Sequence, residues 1–450
     1  MRVCSHREMQ KAAPTFKPIH PSAAPRARFW AAALAAGTIT LSLSGCGTQA
    51  EPETGGSASS TAQEETYESD AAEVAAAAPR LVITYDGGLQ VLDALTLELV
   101  ADLPLDGFNR VNPAGDQRHV MVSVGGGFRL LDSGSYAVAH GDHAHYYAAA
   151  PILEDGIAYP AERPGHVVPH DDLTALFDDA TGHVVILEAD DLDNVVRQYQ
   201  APAAHHGVAV ALPDGTLLVS QGTEESRNGL VALDADDAVQ AESSQCPGIH
   251  GEGVASGEAA VFGCQGGALI YSDGTISFSP APEADGQIST LAATEDSAVA
   301  LGNYQVAGSD APATRVSLID TAAKSVVTVD IGVPYSGRGL ARTDDGVALV
   351  LGTDGKLHLI DPDSAQETAA YQVIDPFELP QNWQDPVPGL LVLEGMVYVT
   401  DPATRSIQIV DPATGSIWRS GKISVVPNEM AGVSGLGAGE HDHSDHEEED

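Results

Sequence analysis

The chain is short of positive charge and of cysteine, and each shortage excludes a class of protein. It carries 21 Lys and Arg against 64 Asp and Glu, a formal net charge of −43. A surface of that sign repels phosphate backbones, so nucleic acid is excluded as a partner. It also disfavours adsorption of the folded part to anionic lipid. Four cysteines in 450 residues are too few for a disulfide-stapled scaffold, and the length is ample for a large core. Signatures of catalysis are missing as well. There is no Gly-x-Ser-x-Gly elbow, no His-Glu-x-x-His and no phosphate-binding glycine loop. Gly125-Gly126-Gly127 lies between two apolar runs and reads as a turn. These absences point away from an enzyme.

Long apolar runs are confined to one place. Phe29 to Leu43 is of signal-peptide length and follows Arg26 and Arg28. Leu43-Ser44-Gly45-Cys46 then resembles a bacterial lipobox, in which the cysteine is lipidated. Residues 1–45 are therefore expected to be a lipoprotein leader, with Cys46 holding the mature chain on the outer face of the cell membrane. Residues 46–78 are rich in Ser, Thr, Glu and Ala, bury too little to offset their ordering entropy, and read as a flexible tether. Residues 432–450 form a matching tail that ends in His and acid. Without the leader the chain has 15 Lys and Arg against 63 Asp and Glu. Cys246 and Cys264, 18 apart in an exported chain, are expected to form a disulfide.

Long amphipathic helices are missing between residues 80 and 430. Short Val/Ile/Leu runs stand there instead, separated by Asp-Gly, Gly-Gly and Asp-Pro turns. A scheme of strand, turn, strand, "IxLxD" strand and outer strand recurs eight times, from Arg80-Leu-Val-Ile-Thr-Tyr to Leu390-Leu-Val-Leu. A repeat of this length with about four antiparallel strands is the mark of a propeller blade. The expected fold is an all-β propeller over residues 79–431. Eight blades are favoured, and strand sharing between the ends leaves seven as the alternative.

What the chain does have is histidine, 16 in all, and it is clustered. His140, Asp142, His143 and His145 fall within six residues. Imidazole nitrogen with carboxylate oxygen suits a divalent ion such as Zn²⁺. His170, His206 and His250 each precede an apolar run in successive repeats, as Arg338 does in a later one. They are expected at one equivalent point of the channel mouth, converging on an ion. His166 either joins them or supports them from behind, and Asp171 and Glu252 are nearby carboxylates able to ligate or to orient a ring. His205 points away from His206 in an extended chain and ranks lower. His119, His183 and His358 read as ordinary structure. The tail repeats the chemistry at His441, His443 and His446 as weaker candidates.

The segments HGDHAHYYAAAP (140–151), RPGHVVPHDDLTALFDDATGHV (163–184), HHGVAVALPDGTLLVS (205–220) and CPGIHGEG with FGC (246–264) together resemble the AztD family of zinc metallochaperones. The resemblance covers about residues 80–430. It implies an exported propeller that binds Zn²⁺ and passes it to the solute-binding protein of a zinc ABC transporter, with no chemistry on a substrate. His140, Asp142, His143 and His145 match the family's metal-rich loop, and His170, His206 and His250 its channel positions. Two other classes compete: a propeller hydrolase or lactonase with a carboxylate-rich metal site, and a metal-free docking platform.

Overall fold

A computed structural model describes residues 71–437 apart from 142 and 310. The lipobox with Cys46, most of the expected tether and the tail histidines His441, His443 and His446 lie outside the described residues, as does Asp142.

Every regular element among the described residues is a strand. The second and third strands of each blade are short, almost wholly buried Val/Leu/Ile runs, as in Arg80–Tyr85 and His119–Val124, because both of their faces pack on neighbouring blades, while outer strands such as Leu99–Leu105 alternate exposed and half-buried residues. Eight antiparallel sheets of about four strands follow one another along the chain. Blade 3 shows the pattern: Pro164–His170 is innermost, then Leu173–Asp178, His183–Glu188 and Asp191–Gln200. The recurrent aspartate after the third strand has a local reason. Its carboxylate caps the turn into the outer strand by accepting backbone N–H groups, as Asp93 does from Leu95 and Thr96, and Asp361 from Asp363 and Ser364.

Core side chains gather between blades as well as within them. Val210 and Leu218 of blade 4 pack with Phe262 and Leu269 of blade 5. Leu81 and Ile83 of blade 1 pack with Tyr398 and Ile407 of blade 8, which closes the ring. Closure is also sewn by backbone. Met430–Val433 pairs with Arg80–Tyr85, so the innermost strand of blade 1 comes from the far end of the sequence. This strand sharing leaves the count at eight.

Two boundaries differ from the sequence reading. The closing strand runs to Val433, and Ala72–Val74, inside the expected tether, is a strand paired with His143–Ala148. Blade 2 holds the reason for the second difference. Its third strand, Gly127–Asp132, is followed by the hairpin Ser135–His140 and His143–Ala148, and Ala72–Val74 adds the third strand of that small sheet.

All inner strands run the same way along the central channel. Their beginnings define one mouth, here the upper, and their ends the lower. This polarity decides which histidines can meet.

Candidate metal centre

Three inner strands begin side by side at the upper mouth: Pro164–His170 of blade 3, Ala209–Ala211 of blade 4 and His250–Ala255 of blade 5. His166, His206 and His250 stand at or beside these beginnings. Their ring centroids lie 4.9 Å (His206–His250), 5.2 Å (His166–His250) and 5.4 Å (His166–His206) apart. One ring nitrogen from each falls within 4.8 Å of the others.

Local backbone irregularities aim these rings. Pairing slips between Pro164 and Val167, and again between His250 and Glu252. A bulge of this kind re-aims the side chain it carries. Gly251 makes the second bulge possible: it has φ +74°, and a Cβ there would meet the Ser289 carbonyl oxygen at 2.6 Å. Gly165 plays the complementary part, because a Cβ on it would collide with the Asp179 carboxylate.

Each ring is held from behind through Nδ1. His166 Nδ1 meets Glu252 Oε1 at 2.9 Å, His206 Nδ1 meets Asp179 Oδ2 at 2.5 Å, and His250 Nδ1 meets the Ser289 carbonyl at 2.6 Å. All three partners accept, so a neutral ring keeps its proton on Nδ1 and turns a lone pair on Nε2 inward. His166 Nε2 is buried and has no hydrogen-bond partner. His206 Nε2 and His250 Nε2 face each other at 2.9 Å. Two facing lone pairs repel unless a proton or cation lies between them. A divalent ion at their meeting point resolves the conflict for all three rings, with water or a carboxylate as fourth ligand.

Electrostatics separates the rings. Burial drives the His250 imidazole down to about 4, helped by the neighbouring His166 charge. Burial pulls His166 the same way, but the charge and hydrogen bond of Glu252 outweigh it and raise His166 above the ordinary value. The same pairing holds Glu252 below its usual range despite its burial. His206 is the exposed ligand, its side chain 43% accessible against 14% for His166. An open cleft of about 460 Å³, lined by Arg163, Asp179, His206 and Glu224, gives access to it.

The structure regroups the sequence candidates. His170 does not stand with His206 and His250. The apolar run after it is the second strand of blade 3, so His170 ends the inner strand and lies at the lower mouth with Asp171. His166, at the start of that strand, fills the place expected of His170, and Glu252 orients it. His205 is buried, with its nitrogens on the Ala203 carbonyl and on Ser220, and plays no part in the cluster. Arg338 of blade 7 pairs with Glu429 and Asn428. Asp179 and the Ser289 carbonyl were not foreseen. Asp179 looked like one more turn aspartate, and a backbone acceptor leaves no mark in a sequence.

His140 and His143 face each other at the end of a hairpin. Tyr136 stacks on Tyr147 at 5.2 Å, and the turn at Gly141 sets His140 opposite His143. His145 lies two residues on, on the same face, its Nε2 3.3 Å from His140 Nδ1. Glu73 Oε1 meets His145 Nδ1 at 2.7 Å, an acceptor supplied by the strand Ala72–Val74. Ligand atoms of His140, His143 and His145 lie within 4.8 Å of one another. The hairpin springs from the lower end of blade 2, so it supplies nothing directly to the upper cluster in this arrangement.

Carboxylates behind metal-bound imidazoles tune affinity. Asp179→Asn is expected to weaken zinc binding about ten- to a hundredfold while leaving the fold intact, measured by competition with a chelating dye. Unchanged affinity would show that Asp179 is only a turn residue.

No family model matches the chain. A zinc chaperone AztD of Citrobacter koseri is 26% identical over 381 residues, covering 80% of this chain and 87% of the relative. The structure of apo AztD from Citrobacter koseri superposes with a TM-score of 0.67 at 23% identity, over 80% of this chain and 98% of the other. A second crystal structure of Citrobacter koseri AztD gives a TM-score of 0.66 at 25% identity, over 80% and 99%. Sequence and fold agree: the chain is an all-β propeller, similar along its folded length to the zinc chaperone AztD of Citrobacter koseri.

Proposed function

We propose that the chain is an extracytoplasmic zinc chaperone that carries Zn²⁺ on His166, His206 and His250. One observation supports this above the others: three imidazoles, each oriented through Nδ1 by an acceptor, turn their Nε2 lone pairs to one point. Zinc here is cargo. His140, His143 and His145 form a second, more exposed binding place on the hairpin, and the Cys246–Cys264 disulfide fits an oxidising compartment. The reading includes a lipid anchor at Cys46 and delivery to the zinc-binding solute-binding protein of an ABC transporter. Graded exposure suits hand-over by ligand exchange. His206, open to the cleft, leaves the ion first, a partner's ligand takes its place, and the partly buried His166 and His250 follow. A hydrolase calls for a carboxylate-rich site with an open position, whereas this cluster is rich in imidazole.

The test is transfer under competition. Zinc-loaded full chain is mixed with the metal-free solute-binding protein in excess EDTA. Arrival of most of the zinc on the partner supports direct delivery. Capture of all of it by EDTA overturns delivery, and a complex that forms equally well without zinc favours the docking-platform reading.

A further inference from the structure

The lower mouth holds a cluster that the upper site does not use. His170 ends the inner strand of blade 3, and its side chain is only 3% exposed. Glu258 Oε2 lies 2.7 Å from its Nε2, and Glu295 Oε1 lies 3.0 Å from its Nδ1. Asp171 adds a carboxylate oxygen 3.7 Å from Nε2. It does so with φ +45°, a left-handed backbone that is uncommon outside glycine. These residues come from the turns that follow the inner strands of blades 3, 5 and 6, so they meet across the channel end.

The buried imidazole makes this more than a patch of surface acids. A neutral ring has one N–H, yet both of its nitrogens face carboxylates. Whichever nitrogen of a neutral ring carries the proton, the lone pair of the other points at a carboxylate oxygen. Ligand atoms of His170, Asp171 and Glu295 all lie within 4.8 Å of one another. Among the described residues no Lys or Arg forms an ion pair with Asp171, Glu258 or Glu295. His358 is the instructive contrast. It also has a carboxylate at each nitrogen, but Lys356 pairs with Asp354 at 3.1 Å, and no third ligand atom converges there.

We propose that His170, Asp171 and Glu295 form a divalent-cation site at the lower mouth, with Glu258 beside the same ring. It goes beyond the carrier site of the preceding section and does not depend on it. One imidazole with two carboxylates is a harder donor set than three imidazoles, so it binds Zn²⁺ more weakly and also accepts Mn²⁺. His166 and His170 lie four residues apart on one strand, about 13 Å along the channel. The two mouths of one channel thus carry two ion sites of different strength. The histidine hairpin follows the third strand of blade 2, which ends at the same lower face.

Crystals of the full chain soaked in Zn²⁺, and separately in Mn²⁺, test this by anomalous scattering at each metal's edge. A peak bounded by His170, Asp171 and Glu295 is expected with both ions. It is expected to vanish in Asp171→Asn/Glu295→Gln, whose exposed positions spare the fold, while the zinc peak at His166, His206 and His250 stays. No lower peak in crystals whose upper site is filled with zinc overturns the proposal, as does a lower peak indifferent to the double substitution. A lower peak with an empty upper site would instead sink the carrier reading and leave this one standing.

Discussion

His250→Ala lowers the zinc affinity of the upper site by about a hundredfold, and His166→Ala does at least as much. The magnitude follows from sharing the roughly 10–16 kcal/mol of a four-ligand zinc site among its ligands, about 3 kcal/mol each. His166 has the larger expected effect for a second reason. Its removal strands Glu252, a buried carboxylate that meets His166 through Oε1 and whose Oε2 has no other partner. An uncompensated buried charge is costly, so His166→Ala should also lower the thermal midpoint, whereas His206→Ala, at an exposed position, should not. His205→Ala reverses the pattern: it breaks the bonds to Ser220 and the contact with Phe177, loses stability and keeps zinc. Chelator competition and thermal unfolding on the same four variants give the answer. Equal zinc affinity for His250→Ala and the unaltered chain would remove the upper cluster as the carrier site.

The blades were legible because their signal is repeated. Short apolar runs divided by turns recur in all eight blades, an aspartate ends or directly follows the third strand in most of them (as at Asp93, Asp132, Asp234, Asp320, Asp361 and Asp411), and each instance supports the next. The histidine register was legible only in part. His206 and His250 stand where the repeat places them, but the inner strand of blade 3 reads as Pro-Gly-His-Val-Val-Pro-His, with two prolines inside it. Proline weakens a strand signal, so the reading began the blade one strand late and set His170, with His166 beside it, at the point that His166 occupies. Non-local pairs were out of reach altogether. Asp179 reaches His206 across 27 residues, and Glu258 reaches His170 across 88. No local pattern encodes such distances; ring closure does. The hairpin was misjudged for another reason, since His, Gly and Asp suggest a loop while the flanking tyrosines and Val138 make it a strand pair.

Opening the Cys246–Cys264 disulfide is the perturbation with the next largest expected effect, and it acts on zinc from a distance. The bond spans 18 residues, so loop closure alone gives it about 3 kcal/mol. Its place in the fold adds a functional share. Cys246 begins the turn that delivers His250, with Ile249 N–H donating to the Cys246 carbonyl and Gln265 N–H to that of Pro247. Cys264 ends the neighbouring strand, and its carbonyl accepts from Ile288, one residue before the Ser289 carbonyl that orients the His250 ring. A single crosslink therefore backs both the histidine and its acceptor. Cys246→Ser/Cys264→Ser should lower the thermal midpoint by several degrees and weaken zinc binding at the upper site about tenfold, with His140, His143 and His145 unaffected because their hairpin belongs to blade 2. Reduction of the unaltered chain with a thiol that does not bind zinc should reproduce both effects. A loss of stability with full zinc affinity would show that the turn holds His250 by its backbone hydrogen bonds alone, and that the crosslink serves the blade and not the site.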